Sequence, residues 1–165
     1  MATHTPKLLG DGLIGNIQSF EMDLKKYGEE THFYTINGFK VSIKRNSLGN
    51  NCGDIYLPED HRYFGKSHDD INQNVEQYLH GGLTTSQMIN GEWVIGFDTS
   101  RPGDWTPVKP NLPLKSIWSV YDVLELFQTG QQEVIQEFDN QYFWTHGEVF
   151  QQLTNFVVNC LSHGA

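Results

Sequence analysis

At 165 residues the chain is long enough to enclose one hydrophobic core and short for two domains; with ten Phe, seven Tyr, four Trp and 38% hydrophobic residues it is no disordered polymer. No run approaches the ~20 apolar residues of a membrane span, and the opening Met-Ala-Thr-His-Thr-Pro lacks a signal-peptide pattern, which predicts a soluble, cytoplasmic protein. The net charge of −9 is uneven: beyond Lys115 there is no Lys or Arg, while Asp122, Glu125, Glu133, Glu137, Asp139 and Glu148 remain, so duplex nucleic acid is excluded as a partner.

In chain order, "IGNIQSFEMDLKKYG" reads as a short helix ended by Gly28. In "HFYTINGFKVSIKR" two alternating runs flank Asn37-Gly38, a dipeptide suited to the positive φ angles of a type I′ turn, so a β-hairpin is expected. "SLGNNCG" reads as a loop and "DIYLP" as a short strand stopped by Pro58. "EDHRYFGKSHDDINQN" is polar and turn-rich with no clear period. "EQYLHGGLTT" reads as a strand broken by its glycine pair; "EWVIGFD" is a stronger strand, and Asn90-Gly91 joins the two as a second hairpin. "RPGDWTPVKPNLPL" holds four of the six prolines and reads as a surface loop.

Two helices are expected after that loop. Ser119 and Asp122 open the first. Thr145 and Glu148 form a capping box for the second, whose apolar positions are Val149, Phe150, Leu153, Phe156, Val157, Cys160 and Leu161. His146, inside that start, is expected at the surface. The fold class is α+β: a single domain over 1–165 with an antiparallel sheet of four to six strands built from hairpins and two C-terminal helices packed on it. Cys52 and Cys160, far apart and without CxxC spacing, read as free thiols.

The reactive groups of the middle are His61, His68, Asp69, Asp70, His80, Asp98, Arg101 and Asp104. As a metal site the carboxylates Asp69, Asp98 and Asp104 would serve, and His68-Asp69-Asp70 is similar to the His-Asp pair of some metal phosphohydrolases. HxH, HxxxH and HExxH spacings are all absent, so neither metal nor cofactor is expected. As acid–base chemistry, His61 and His80 would move protons on a phosphodiester, with Lys66 or Arg101 stabilising the charge. As a binding cradle, Gly81-Gly82 would let backbone amides approach a ligand and Thr84 would add a hydroxyl. Arg62, Lys66 and Arg101, the only Lys or Arg between Asn46 and Val108, would meet phosphate. His80, Asp98 and Thr84 would fix base or ribose, with Tyr63 or Trp105 stacking, and Asp104 completes the ligand-binding set. For any one of these residues an ordinary role is commoner: a bulge at the glycines, a strand end at Asp98, a turn at Pro102-Gly103-Asp104.

Taken together, "LPEDHRYFGKSHDDI", "LHGGLT" and "WVIGFDTSRPGD" resemble a family of small, mostly uncharacterised bacteriophage proteins. Its members carry Pro-x-Gly-His-Pro-x-x-Gly-Lys, Tyr-Asp-Asp, His-Gly-Gly-Leu-Thr and a Gly-Phe-Asp segment ending in Gly-Asp. The matching positions are Pro58, His61, Gly65, Lys66, Asp69, Asp70, His80 to Thr84, Gly96 to Asp98, Gly103 and Asp104. With the C-terminal amphipathic helix, the resemblance covers nearly two-thirds of the chain. Ser100-Arg101 stands where the family often has Ala-His, which suits a phosphate better than a metal, and the polar "NVEQYLHGG" implies a later strand start.

A phage origin implies action against host defence. The favoured expectation is a protein that sequesters a small phosphate-bearing nucleotide signal, a cyclic oligonucleotide or an ADP-ribose derivative, in a site enclosed across a homo-oligomer interface. The alternative is a phosphodiesterase-type hydrolase of such a signal that uses His61 and His80. A third reading is an acidic protein-binding inhibitor, motivated by six acids against no bases over residues 116–165.

Overall fold

The computed structural model describes residues 8–75, 78–110 and 116–162. Glu76 and Gln77 of the expected fourth strand, residues 111–115 of the proline-rich loop, and the two ends of the chain lie outside that set.

Both Asn-Gly turns form as their chemistry requires. Asn37 and Gly38 have φ of 51° and 85°, Asn90 and Gly91 of 50° and 82°, so each pair turns the chain with left-handed backbone in two residues. The first joins β1 (His32–Ile36) to β2 (Phe39–Arg45), the second β4 (Thr85–Ile89) to β5 (Glu92–Asp98). Between the hairpins lies β3 (Asn51–Leu57), paired with β2 and β5. The sheet is antiparallel throughout, in the order β1-β2-β3-β5-β4. β3 starts earlier than expected, taking Asn51 to Gly53 from the anticipated loop. Over residues 78–84 the anticipated strand does not form. Its polar lead-in holds α2 (His68–Val75), which gives the core only Ile71 and Val75, too few positions to reveal a period, and β4 begins only at Thr85.

Among the described residues three helices follow the proline-rich loop: α3 (Val120–Gln128), α4 (Gln132–Asp139) and α5 (His146–Phe156), the last running into a π-helical turn at Val157–Leu161. The Thr145–Glu148 capping box is present: Thr145 Oγ1 accepts from the Glu148 amide at 3.3 Å, and Glu148 Oε1 accepts from the Thr145 amide at 2.9 Å. α5 and its π-helical turn lay Val149, Leu153, Phe156 and Val157 on Val41, Ile43, Ile55, Leu57, Ile95 and Phe97 of the sheet, and this is the first hydrophobic cluster. α3 and α4 do not join it. They pack on α1 (Asp11–Tyr27), whose C-cap is the expected Gly28, and enclose a second cluster of Leu13, Ile17, Phe20, Trp105, Trp118, Val123 and Phe143. Cys52 and Cys160 are buried free thiols, and burial pushes them up to about 12 and about 11. Among the described residues no helix is long and apolar enough to cross a membrane.

A buried polar joint links the two clusters. Asp23, on the inner side of α1, accepts from Arg45 Nη2 at 2.9 Å and from Asn51 Nδ2 at 3.0 Å through one carboxylate oxygen. Its other oxygen accepts from the His146 amide, the first of α5, at 2.9 Å. Arg45 also donates Nε to the Gly28 carbonyl at 2.9 Å, and Asn51 reaches the Trp144 carbonyl at 3.0 Å. His146 is therefore not the surface residue expected from its place in a helix start. It is 3% exposed, its ring stacks on Tyr27 at 3.7 Å between centroids, and Nε2 lies 2.8 Å from the Tyr34 hydroxyl. Burial pushes its imidazole down to about 4, against the pull of Asp23 and helped by His32, Arg45 and Lys26.

Removing one side of a buried ion pair strands the other charge, so Arg45→Ala is expected to cost about 3–5 kcal/mol in urea unfolding; a loss below ~1 kcal/mol would refute the joint. His146 binds its proton more readily unfolded, near 6.5, than folded, near 4, so stability is complete above 6.5 and falls as pH drops towards 4, by roughly 3 kcal/mol. Unfolding midpoints measured from pH 7 to 4 should show this slope in the native chain and much less of it in His146→Phe.

Candidate functional site

Chain reversal after α2 is made by Gly81 and Gly82, at φ of 69° and 73°. Five hydrogen bonds hold this loop. The Gly82 amide donates to the Leu79 carbonyl at 3.1 Å. The Asn72 side-chain amide both donates to and accepts from the Leu83 backbone, each at 2.8 Å. The Thr84 amide reaches the Gly96 carbonyl at 2.8 Å, which leads the chain into β4. From α5, Gln152 Oε1 accepts from the His80 amide at 2.9 Å.

His80 donates Nε2 to the Asp104 carboxylate, 2.8 Å from Oδ1 and 3.0 Å from Oδ2, and its ring stacks on Trp144 at 4.3 Å. Because a carboxylate only accepts, Nε2 is a donating nitrogen in this contact. Asp104 is itself buried at the end of a turn with Pro102 and Gly103 in its middle. Its amide donates to the Arg101 carbonyl at 2.9 Å, and its Oδ2 accepts from the Arg101 amide at 3.0 Å. Gly103 has φ of 94°, as the third position of a type II turn needs. The Arg101 side chain lies across Gly81 so closely that a Cβ there would sit 2.5 Å from Arg101 Cδ. His80, Gly81, Arg101 and Asp104 thus interlock.

Two grooves lie at the surface, and the first borders this assembly at His80. One, of about 510 Å3, runs between the Tyr78–His80 segment and α5 and is lined by Tyr78, His80, Trp144, Gln152, Asn155 and Asn159. The other, of about 580 Å3, is lined by Arg62, Tyr63, Lys66, Asp70, Gln73 and Asn74. Arg62 donates Nη2 to the Cys160 carbonyl and lies over the Tyr63 ring at 4.8 Å, which anchors its charge at the groove. Arg62, Tyr63 and Lys66, chosen from sequence, therefore share one groove.

The remaining candidates are dispersed. His61 follows β3 at the end of the sheet where Leu57 pairs with Trp93. Its Nδ1 accepts from the Tyr63 amide at 3.0 Å, its ring meets Phe39, and burial lowers its pKa. His80 and Asp104 belong to the segments around the opposite end, where Thr84 meets Gly96 and Cys52 pairs with Asp98. The structure does not bring His61 and His80 to one bond as acid and base. Trp105 is 0% exposed within the second cluster and has no face for a ligand to stack on. Gly82 is buried with its amide committed to the turn, and Thr84 serves β4. Asp98 accepts from the Ser100 amide at 3.2 Å beside Cys52, and Asp69 is 87% exposed at the start of α2. Among the described residues no three His, Cys, Asp or Glu side chains converge as metal ligands, so Asp69, Asp98 and Asp104 do not form one site. Sequence reading passed over Trp144, Gln152, Asn155 and Asn159. The signal for three of these was their spacing, which puts them on one polar side of the best-marked helix.

Gly81→Ala meets two penalties, a left-handed φ and the Arg101 side chain. Its cost in the native chain should exceed its cost in an Arg101→Ala background by about 1 kcal/mol or more in a double-mutant unfolding cycle, and equal costs would dismiss the packing. Compared with protein-family models, with curated proteins and with solved structures, the chain matches none of them.

Proposed function

We propose that the protein binds a small phosphate-bearing nucleotide ligand and holds it without cleaving it. The observation that carries this reading is the groove in which Arg62 and Lys66 stand together beside Tyr63, with Gln73 and Asn74 as hydrogen-bonding groups. Its volume of about 580 Å3 is in the range of small-molecule sites. Two cations in one groove suit a phosphate, and Asp70 in the same lining selects against ligands that are anionic all round. Binding is favoured over hydrolysis because the two histidines that would share acid and base roles stand in different parts of the fold, and each is engaged there with its own partners. The likeness to phage proteins adds a setting in which the ligand is a host immune signal removed by sequestration.

The test is incubation with cyclic oligonucleotides, ADP and ADP-ribose derivatives, followed by heat release and analysis of the small molecules. Intact ligand on release supports the reading, fragments support a hydrolase, and no depletion of any candidate refutes both. Lys66 is exposed, so Lys66→Ala should leave the fold intact and raise the Kd about tenfold or more. An unchanged Kd would remove the phosphate assignment.

A further inference from the structure

Five of the fourteen large hydrophobic side chains that stand exposed among the described residues fall between Ile117 and Phe127, on α3 and just before it. Val120, Leu124 and Phe127 recur at spacings of four and three, so they form one stripe along α3, with Tyr121 beside it. Tyr121 is 82% exposed and Leu124 52%. Val123 and Leu126 face the other way, into the second cluster. The apolar arc of α3 is therefore wider than the bundle with α1 and α4 covers, where a surface helix ordinarily turns polar. At the Phe127 end the patch reaches the start of α1. A Cβ on Gly10 would lie 3.1 Å from the Phe127 ring, and Leu9, its neighbour, is exposed.

Charge on the same helices decides what can cover this face. Six carboxylates follow Lys115 in the sequence. Three are spent within the fold. Asp122 pairs with Lys109, Asp139 accepts from the Gly10 and Leu13 amides, and Glu148 caps α5. The other three, Glu125 on α3 and Glu133 and Glu137 on α4, are exposed and have no ion-pair partner among the described residues. Glu125 follows Tyr121 by one turn and so borders the stripe, and α4 packs on α3. A second copy would set these like charges against each other, and an anionic lipid surface would be repelled. A segment with apolar residues at helical spacing, flanked by Lys or Arg, meets both features.

We infer that the outer face of α3 docks a basic amphipathic helix of a partner protein, with its apolar side on Val120, Leu124 and Phe127 and its cations towards Glu125, Glu133 and Glu137. The stripe runs two turns of α3, about 10 Å, which accommodates one crossing of a packed helix. The nucleotide groove is lined by other residues, Arg62 to Asn74, so this face and that groove are tested separately.

The experiment is fluorescence anisotropy on the full chain with two labelled model helices, one of Leu and Lys at amphipathic spacing and one with Glu in place of Lys. The Leu–Lys peptide is expected to bind about tenfold or more tightly than the Leu–Glu peptide. Val120 and Leu124 are exposed, so the Val120→Ser/Leu124→Ser variant should keep its unfolding midpoint while weakening the Leu–Lys peptide about tenfold or more. Glu125→Gln/Glu133→Gln/Glu137→Gln should weaken it too and flatten its dependence on salt. Phe33→Ser/Met88→Ser, which removes exposed side chains from the sheet edges, should change nothing. Equal binding of the two peptides, no binding of either, or an equal loss in the sheet-edge variant would overturn the proposal. So would a dimer in sedimentation that Val120→Ser/Leu124→Ser abolishes, which makes a second copy the occupant. Binding that appears only after deletion of residues 1–7 would overturn it in favour of the chain's own end.

Discussion

The fold hinges on the Asp23 carboxylate. The sheet with α5 and the bundle of α1, α3 and α4 each bury their own apolar cluster, and neither cluster dictates how the other docks. The docking is set by polar side chains that satisfy backbone groups along the seam. Asp23 ties α1 to Arg45 at the end of β2, to Asn51 at the start of β3 and to the first amide of α5. Asn50 adds bonds to the Thr99 and Trp105 carbonyls, and Asn16 to the Gln141 carbonyl and the Phe143 amide. Apolar contacts alone allow sliding, whereas each of these groups has one arrangement in which its desolvation is compensated. With α5 fixed at its N-terminus, Trp144 and the Gln152–Asn159 face come to rest beside His80.

Where the local chemistry admits one conformation, the sequence reading and the structure agree. Asn37-Gly38 and Asn90-Gly91 require positive φ and make their hairpins, and Thr145 with Glu148 caps α5 through bonds within four residues. Segments positioned by distant partners were not legible. α2 shows the core only Ile71 and Val75, and Leu79 and Leu83, inside the expected strand, instead pin a loop held by Asn72 and Gln152. α4 offers the interior chiefly Ile135. His146 looked like a capping neighbour, but Tyr27, Tyr34 and Asp23, which enclose it, come from elsewhere in the chain.

The site divides along the same line. Arg62, Tyr63 and Lys66 lie within five residues of one another, and a short turn keeps them together. His80, Arg101 and Asp104 also meet as their crowding in sequence suggested, but much of their capacity is spent on each other. Asp104 takes the His80 ring and the Arg101 amide, and Arg101 packs over Gly81. This set acts as a brace that holds the Tyr78–His80 wall against α5. Residues that look reactive in sequence can be the frame of a groove whose lining, here the amides of α5, carries no motif at all.

The outermost strands have a further consequence. β1 and β4 are the two edges of the sheet, and neither His32–Ile36 nor Thr85–Ile89 contains an Asp, Glu, Lys or Arg. Phe33 on one and Met88 and Ile89 on the other are exposed. Proteins usually place a charge or a proline on such an edge to stop a second molecule from adding a strand. Among the described residues the repulsion between molecules carrying −9 each opposes strand addition, a long-range field that salt screens and that weakens as pH falls towards the sequence pI of about 5.1. Colloidal stability, set by ionic strength and acidity, is therefore a property separate from the stability of the fold, and in mildly acidic, salty solution folded copies lose the force that keeps their edges apart.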